Sequence, residues 1–140
     1  MSIPVPIPAD ADGFLRRRCP NCQTEFKWHL GPINDEAAAA PPQSIYYCPL
    51  CGQSAAVDSW CTPAQLEYAQ QAAMPEILRQ LEDEIPEITV TDVPPPPAPM
   101  VEPNDMQIIA PPCHPFEPVK VLDGDRGPFH CLLCGDRFAV

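Results

Sequence analysis

Six of the eight cysteines fall in three C-x-x-C pairs: Cys19 with Cys22, Cys48 with Cys51, and Cys131 with Cys134. Two residues between thiolates let one tight turn aim both sulfurs at a single ion, and two such turns complete a tetrahedron. Proline follows the first cysteine in Cys19-Pro20-Asn21-Cys22 and in Cys48-Pro49-Leu50-Cys51, fixing the start of each turn. Gly52 and Gly135 directly follow the last cysteine, where a positive φ is often required. Cys19, Cys22, Cys48 and Cys51 are therefore expected to form one four-thiolate metal site.

A second site needs a different donor set, because Cys113 has no cysteine three residues later and is followed directly by His114. Matching Lys27 with Lys120 as equivalent strand positions places Cys113 and His114 within the span of the first opening turn. Cys113, His114, Cys131 and Cys134 then make a three-cysteine, one-histidine site. His130 competes for the fourth position, but it adjoins Cys131 on an incoming strand, and alternation points it away from the ion. Nine residues separate Cys61 from Cys51, and without a C-x-x-C partner it reads as a half-buried thiol beside Trp60. A nucleophilic role would need a nearby base, and His29 and His130 already have places on strands.

The elements that must hold these donors are short. Thr24 to Leu30 alternates, with Phe26, Trp28 and Leu30 on one face and Glu25, Lys27 and His29 on the other, as in a half-buried strand. Ile45 to Tyr47 leads into the second cysteine turn, and Ala55 to Val57 can form a third strand. An internal repeat marks a second module: Cys48-Pro-Leu50-Cys51-Gly52 ending in Ala56-Val57 matches Cys131-Leu-Leu133-Cys134-Gly135 ending in Ala139-Val140. Before it, Val119 to Leu122 reads as a strand, and Phe129 to Cys131 returns after turn signals at Asp123-Gly124 and Arg126-Gly127.

With 22 prolines and 6 glycines in 140 residues, one continuous core is not expected. Pieces this small need a staple to stay folded, and metal supplies it. The expected organisation is a disordered tail (1–12), a first ribbon (13–61), an amphipathic helical segment (62–84), an acidic proline-rich linker (85–111) and a second ribbon (112–140). Thr62-Pro63-Ala64-Gln65 is a capping box that should open the helix, and Pro75 should kink or split it. Leu66, Ala69, Ala73, Ile77 and Leu81 recur along it at helical spacing. The run Pro94 to Pro97 makes the linker stiff, so the two ribbons are expected to behave nearly independently.

The chain resembles the zinc-ribbon families found in transcription factors, polymerase subunits and many small bacterial proteins, on the strength of CPNC followed by YYCPLCG. That resemblance implies two zinc ions in three-stranded antiparallel ribbons, with a role in holding protein or nucleic acid. YYCPLCG also resembles the second half of rubredoxins, which hold iron in four thiolates. The long alanine- and proline-rich loop departs from the compact aromatic loop of that family.

Charge narrows the functional classes. The net charge is −11, and Thr62 to Pro112 carries nine acidic groups against Arg79 alone. Such a chain repels phosphate backbones. A local exception is the basic edge of Arg16, Arg17, Arg18 and Lys27 beside Trp28, which could touch nucleic acid, the transcription machinery or an acidic partner. Met1 to Asp12 lacks the basic start and apolar run of a secretory signal, and no stretch approaches a membrane span, so a cytoplasmic setting with reduced thiols is expected. No H-E-x-x-H, glycine-rich phosphate loop or deaminase-type histidine and glutamate pair is present, which points away from an enzyme and from a small-molecule substrate. A metal-binding adaptor that meets a protein partner is the function these features favour.

Overall fold

The computed structural model describes residues 7–85, 87, 95 and 97–139. Met1 to Pro6 of the expected tail, much of the proline run and Val140 lie outside the described residues. The chain divides into two units, one of Met1–Pro8 with Pro63–Met100 and the other of Ala9–Thr62 with Val101–Val140.

In the first unit, helix α2 (Pro63–Glu84) begins at the proline that the capping pattern places first. It continues through Pro75, so the proline does not split it in two. Leu66, Met74, Ile77 and Leu81 are all exposed, so the apolar stripe is not buried as a core face would be. No helix among the described residues is long and apolar enough to cross a membrane.

The second unit holds all three cysteine pairs and departs from the two separate ribbons read in the sequence. Strands β1 (Phe14–Arg18), β2 (Glu25–His29), β5 (Met106–Ile109) and β6 (Val119–Leu122) form one antiparallel sheet in the order β1-β2-β6-β5. The hairpins β3 (Ile45–Tyr47) with β4 (Ser54–Ala56), and β7 (Phe129–His130) with β8 (Arg137–Phe138), carry the second cysteine turn of each half. A short helix α1 (Asp35–Ala39), capped by the Asn34 side chain, lies in the loop between β2 and β3.

The expected independence fails at the β2–β6 seam, where Lys27 lies opposite Lys120 and Trp28 opposite Val119. β5 arises inside the span expected to be linker, and β1 arises where only a basic patch was read. The registers make the halves equivalent: Arg16 faces Lys27 on one side, Ile108 faces Lys120 on the other, and β1-β2 becomes β5-β6 on rotation about the Lys27–Lys120 pair.

Residues opposite one another in an antiparallel pair share a face. One face of the sheet carries Phe26, Ile109, Val119 and Val121, which join Trp60, Phe129, Leu132 and the buried thiols Cys19 and Cys48 in a single apolar core. Both halves contribute, so burial of this core is a shared driving force.

The other face was expected to be solvated, but Lys27 and Lys120 are 0% and 1% exposed. Two buried ammonium groups on facing strands repel unless an anion lies between them. Asp10 supplies it: its Oδ2 accepts hydrogen bonds of 2.9 Å from both Lys27 Nζ and Lys120 Nζ. Asp12 and Asn104 accept from Lys120 at 2.8 and 2.7 Å, Glu102 and Asp105 approach Lys27 at 3.3 and 3.2 Å, and Lys27 also donates to the Pro103 carbonyl. Burial disfavours ionising Asp10, but the bonds from Lys120, the Phe14 N–H, Lys27 and the Asp12 N–H outweigh it and hold the carboxyl well below the usual range. The part of the expected tail from Asp10 to Asp12 is thus built into the sheet.

Candidate metal centres

Each centre is assembled from two turns. In the first, the Asn21 and Cys22 amides donate to Cys19 Sγ at 3.3 and 3.4 Å, and the Leu50 and Cys51 amides donate to Cys48 Sγ at 3.4 Å. These bonds stabilise negative charge on sulfur. Each turn closes through the residue after its second cysteine: the amides of Gln23, Gly52 and Gly135 donate to the carbonyls of Cys19, Cys48 and Cys131 at 2.9, 2.9 and 2.8 Å. All three have positive φ, at 62°, 77° and 77°. Gln23 tolerates its side chain there, whereas a Cβ on Gly52 would sit 2.8 Å from the His130 ring and one on Gly135 2.8 Å from the Tyr47 ring. Glycine is required at those two positions by close approach as well as by backbone angle.

The same rings mark where the halves meet. The Tyr47 amide donates to the Leu132 carbonyl and the His130 amide donates to the Pro49 carbonyl, each at 2.8 Å. Tyr47 and His130 precede the first cysteine of their turns, and Pro49 and Leu132 follow it, so the two bonds are a reciprocal pair. The cysteine turns of the two centres are thereby tied to each other.

The ligand atoms of Cys19, Cys22, Cys48 and Cys51 lie within 4.8 Å of one another, as do those of Cys113, His114, Cys131 and Cys134. Sulfurs approach to 3.7 Å for Cys19–Cys51 and Cys22–Cys48, and to 3.4 Å for Cys113–Cys134. His114 Nδ1 is 3.3 Å from Cys131 Sγ. With metal–sulfur bonds of about 2.3 Å, the edge of a tetrahedron is about 3.8 Å, so the donors have the spacing of ligands around one ion. His114 enters the cluster, and His130 does not: its Nδ1 lies 3.2 Å from the Gly135 carbonyl.

Four of the cluster thiols resist ionisation. Burial pushes the Cys48 thiol up, reinforced by charge on Cys19 and Cys22, and pushes Cys131 up to about 12. Cys51 and Cys134 are also raised, chiefly by burial. Burial acts the same way on Cys22, but hydrogen bonds from the Thr24 amide and hydroxyl and from neighbouring thiols bring it down to about 7. Four thiolates cannot be packed together without a cation to balance them, and binding one expels protons.

The basic edge read from the sequence is largely consumed within the fold. Lys27 is buried in the Asp10 cluster. Arg16 pairs with Glu25, Glu102 and Asp105, and Arg17 is buried with its guanidinium 5.1 Å from the centre of the Trp28 ring. Arg18 is half-buried. Cationic groups already neutralised by carboxylates or held over an aromatic ring are poor phosphate contacts, and the acidic segments that neutralise them were assigned to tail and linker in the sequence.

The Asp10 cluster was missed because its members are scattered at positions 10, 27, 102–105 and 120. The one available signal was a lysine at the same strand position of each repeat. Cys61 lies 3.7 Å from Arg17 Nη1, outside both clusters.

Comparison with known protein families, with curated proteins and with solved structures finds no match. The structure supports a small β-rich protein with two cysteine-rich clusters able to hold metal ions.

Proposed function

We propose that the chain is a zinc-stabilised, non-catalytic interaction module whose two ions staple one duplicated ribbon sheet. The observation that carries this is the pair of clusters, each with four protein donor atoms within 4.8 Å of one another. Four ligands fill a tetrahedral shell and leave no position for an activated water or a substrate, which favours a structural over a catalytic metal. Thiolate-rich sets with one imidazole suit zinc; iron in four thiolates is the alternative for the first cluster. Adaptor function is supported by the rigid, metal-set surface and by the strongly acidic chain, which favours a basic protein partner. Native mass spectrometry tests the metal assignment. Two zinc ions per chain, with the second lost or weakened in His114→Ala, is the expected result. One ion, or a coloured iron-bearing protein, would overturn it.

A further inference from the structure

The outer strands of the four-stranded sheet, β1 and β5, hold equivalent places in the two halves, and their free edges differ. Residues of an antiparallel strand turn their backbone groups alternately to one neighbour and to the other. The Leu30 N–H donates to the Gly13 carbonyl at 2.9 Å and the Cys19 N–H to the Thr24 carbonyl at 3.1 Å, which sets the phase of β1 against β2. Leu15 and Arg17 therefore bond to β2, and Phe14, Arg16 and Arg18 face outward. Carried across the registers, the same phase has Lys27 bonded to Lys120, and Val119 and Val121 bonded to Ile109 and Gln107. Met106, Ile108 and the next residue in phase, Ala110, then turn their N–H and C=O groups outward.

At β1 the chain closes its own edge. The Phe14 N–H donates to Asp10 Oδ1 at 3.0 Å, the Phe14 carbonyl accepts from the Asp10 N–H at 2.8 Å, the Arg16 carbonyl accepts from Arg17 Nε at 2.8 Å, and the Arg18 N–H donates to the Trp60 carbonyl at 2.8 Å. At β5 nothing equivalent is found: among the described residues the outward backbone groups of Met106, Ile108 and Ala110 have no hydrogen-bond partner. Ile108 is 54% exposed, and Leu122, on the same face and opposite Met106, is 52% exposed. The run Met106-Gln107-Ile108-Ile109 has no charge, proline or bulge, so it lacks the devices that keep an edge from pairing. A row of unpaired donors and acceptors beside exposed apolar side chains is the template for an added strand.

Charge decides between a second copy and another protein. Asp105 directly precedes β5 and Asp123 directly follows β6, which puts two carboxylates at one end of the open edge. Two chains of net charge −11 repel each other, whereas a cationic segment is drawn in. We propose that β5 accepts an added strand from a basic partner protein: an extended segment with an apolar residue against Ile108 and Leu122 and a lysine or arginine beside Asp105 and Asp123. The inference rests on the reading of the chain as an interaction module and says where and how its partner binds.

The test uses the full metal-loaded chain and a peptide of alternating valine and threonine with lysine at both ends, followed by amide NMR and hydrogen exchange. Saturation is expected below about 1 mM. In the free chain the Ile108 and Ala110 amides should exchange faster than those of Gln107 and Ile109, and near-saturating peptide should slow the first two about tenfold and leave the others unchanged. Methylating the peptide's backbone nitrogens at alternate positions should abolish binding in one phase and spare it in the other. Ile108→Lys, at an exposed position with no ladder bond to lose, should weaken binding about tenfold. Zinc content is measured on the same preparations, so absent binding with two ions retained counts against the edge alone, and absent zinc counts against the module. No saturable binding, equal effects of the two methylation phases, or equal affinity for a peptide ending in glutamates would each overturn the proposal. So would a concentration-dependent dimer abolished by Ile108→Lys, which would assign the edge to a second copy, or stronger binding of the chain's own Ile88–Val93 sequence.

Discussion

The two halves of the shared sheet have the same order of elements and unequal periphery. The first half closes its cluster with Cys22, the second with His114. The first spans β2 to β3 with residues 30–44 and a short helix, the second spans β6 to β7 with only 123–128. What the halves have in common lies at the seam: Lys27 facing Lys120, the reciprocal Tyr47–Leu132 and His130–Pro49 hydrogen bonds, and the ring-covered glycines Gly52 and Gly135. A residue at a twofold seam touches its own counterpart, so changing it disturbs both halves, whereas a peripheral ligand or loop can vary alone.

The largest expected effect is removal of both metals. Structural zinc contributes on the order of 10 kcal/mol in modules of this size, so strong chelation should unfold the sheet unit, as read by loss of tryptophan burial. Retention of native fluorescence without metal would remove the stapling role from both halves alike. Next is Asp10→Ala, which leaves two buried lysines facing each other and should cost about 3–5 kcal/mol in denaturant unfolding. A loss near zero would mean the lysines find water or other acids, and that the seam does not depend on a shared anion. Gly52→Ala and Gly135→Ala should each cost about 1–3 kcal/mol, with similar values because each introduces strain at the same distance from the other half's ring. Unequal values would show the seam to be less symmetric than its hydrogen bonds. The smallest effect is Gln23→Gly, which relieves positive φ at the one uncovered turn and should stabilise by up to about 1 kcal/mol.

Much of each centre was legible from local sequence, since C-x-x-C spacing and the glycine after it are set within a single turn. His114 was legible because the Lys27–Lys120 match fixed the register of the repeat. The seam was not legible. Nothing local distinguishes Val119-Lys120-Val121 as a half-solvated strand from the same residues buried on both faces, and the carboxylates that bury Lys27 and Lys120 come from positions far away in the chain. Proline-rich composition around 101–111 suggested linker, yet Met106 to Ile109 pairs along β6 and Glu102 and Asp105 reach the lysines. The chain also reads as beads on a string because each half repeats the same short signature, and a repeat says nothing about whether its copies share a core.

Interdependence of the halves is the central claim, and Cys131→Ser tests it most directly. Trp28 and Trp60, the two tryptophans of the chain, lie in the first half. Thermal unfolding followed by tryptophan fluorescence, with metal content measured alongside, therefore reports on the half that the substitution does not touch. A lowered tryptophan midpoint, in a single transition, is the predicted result. An unchanged midpoint with the first metal fully retained would contradict it and return the molecule to two independent ribbons.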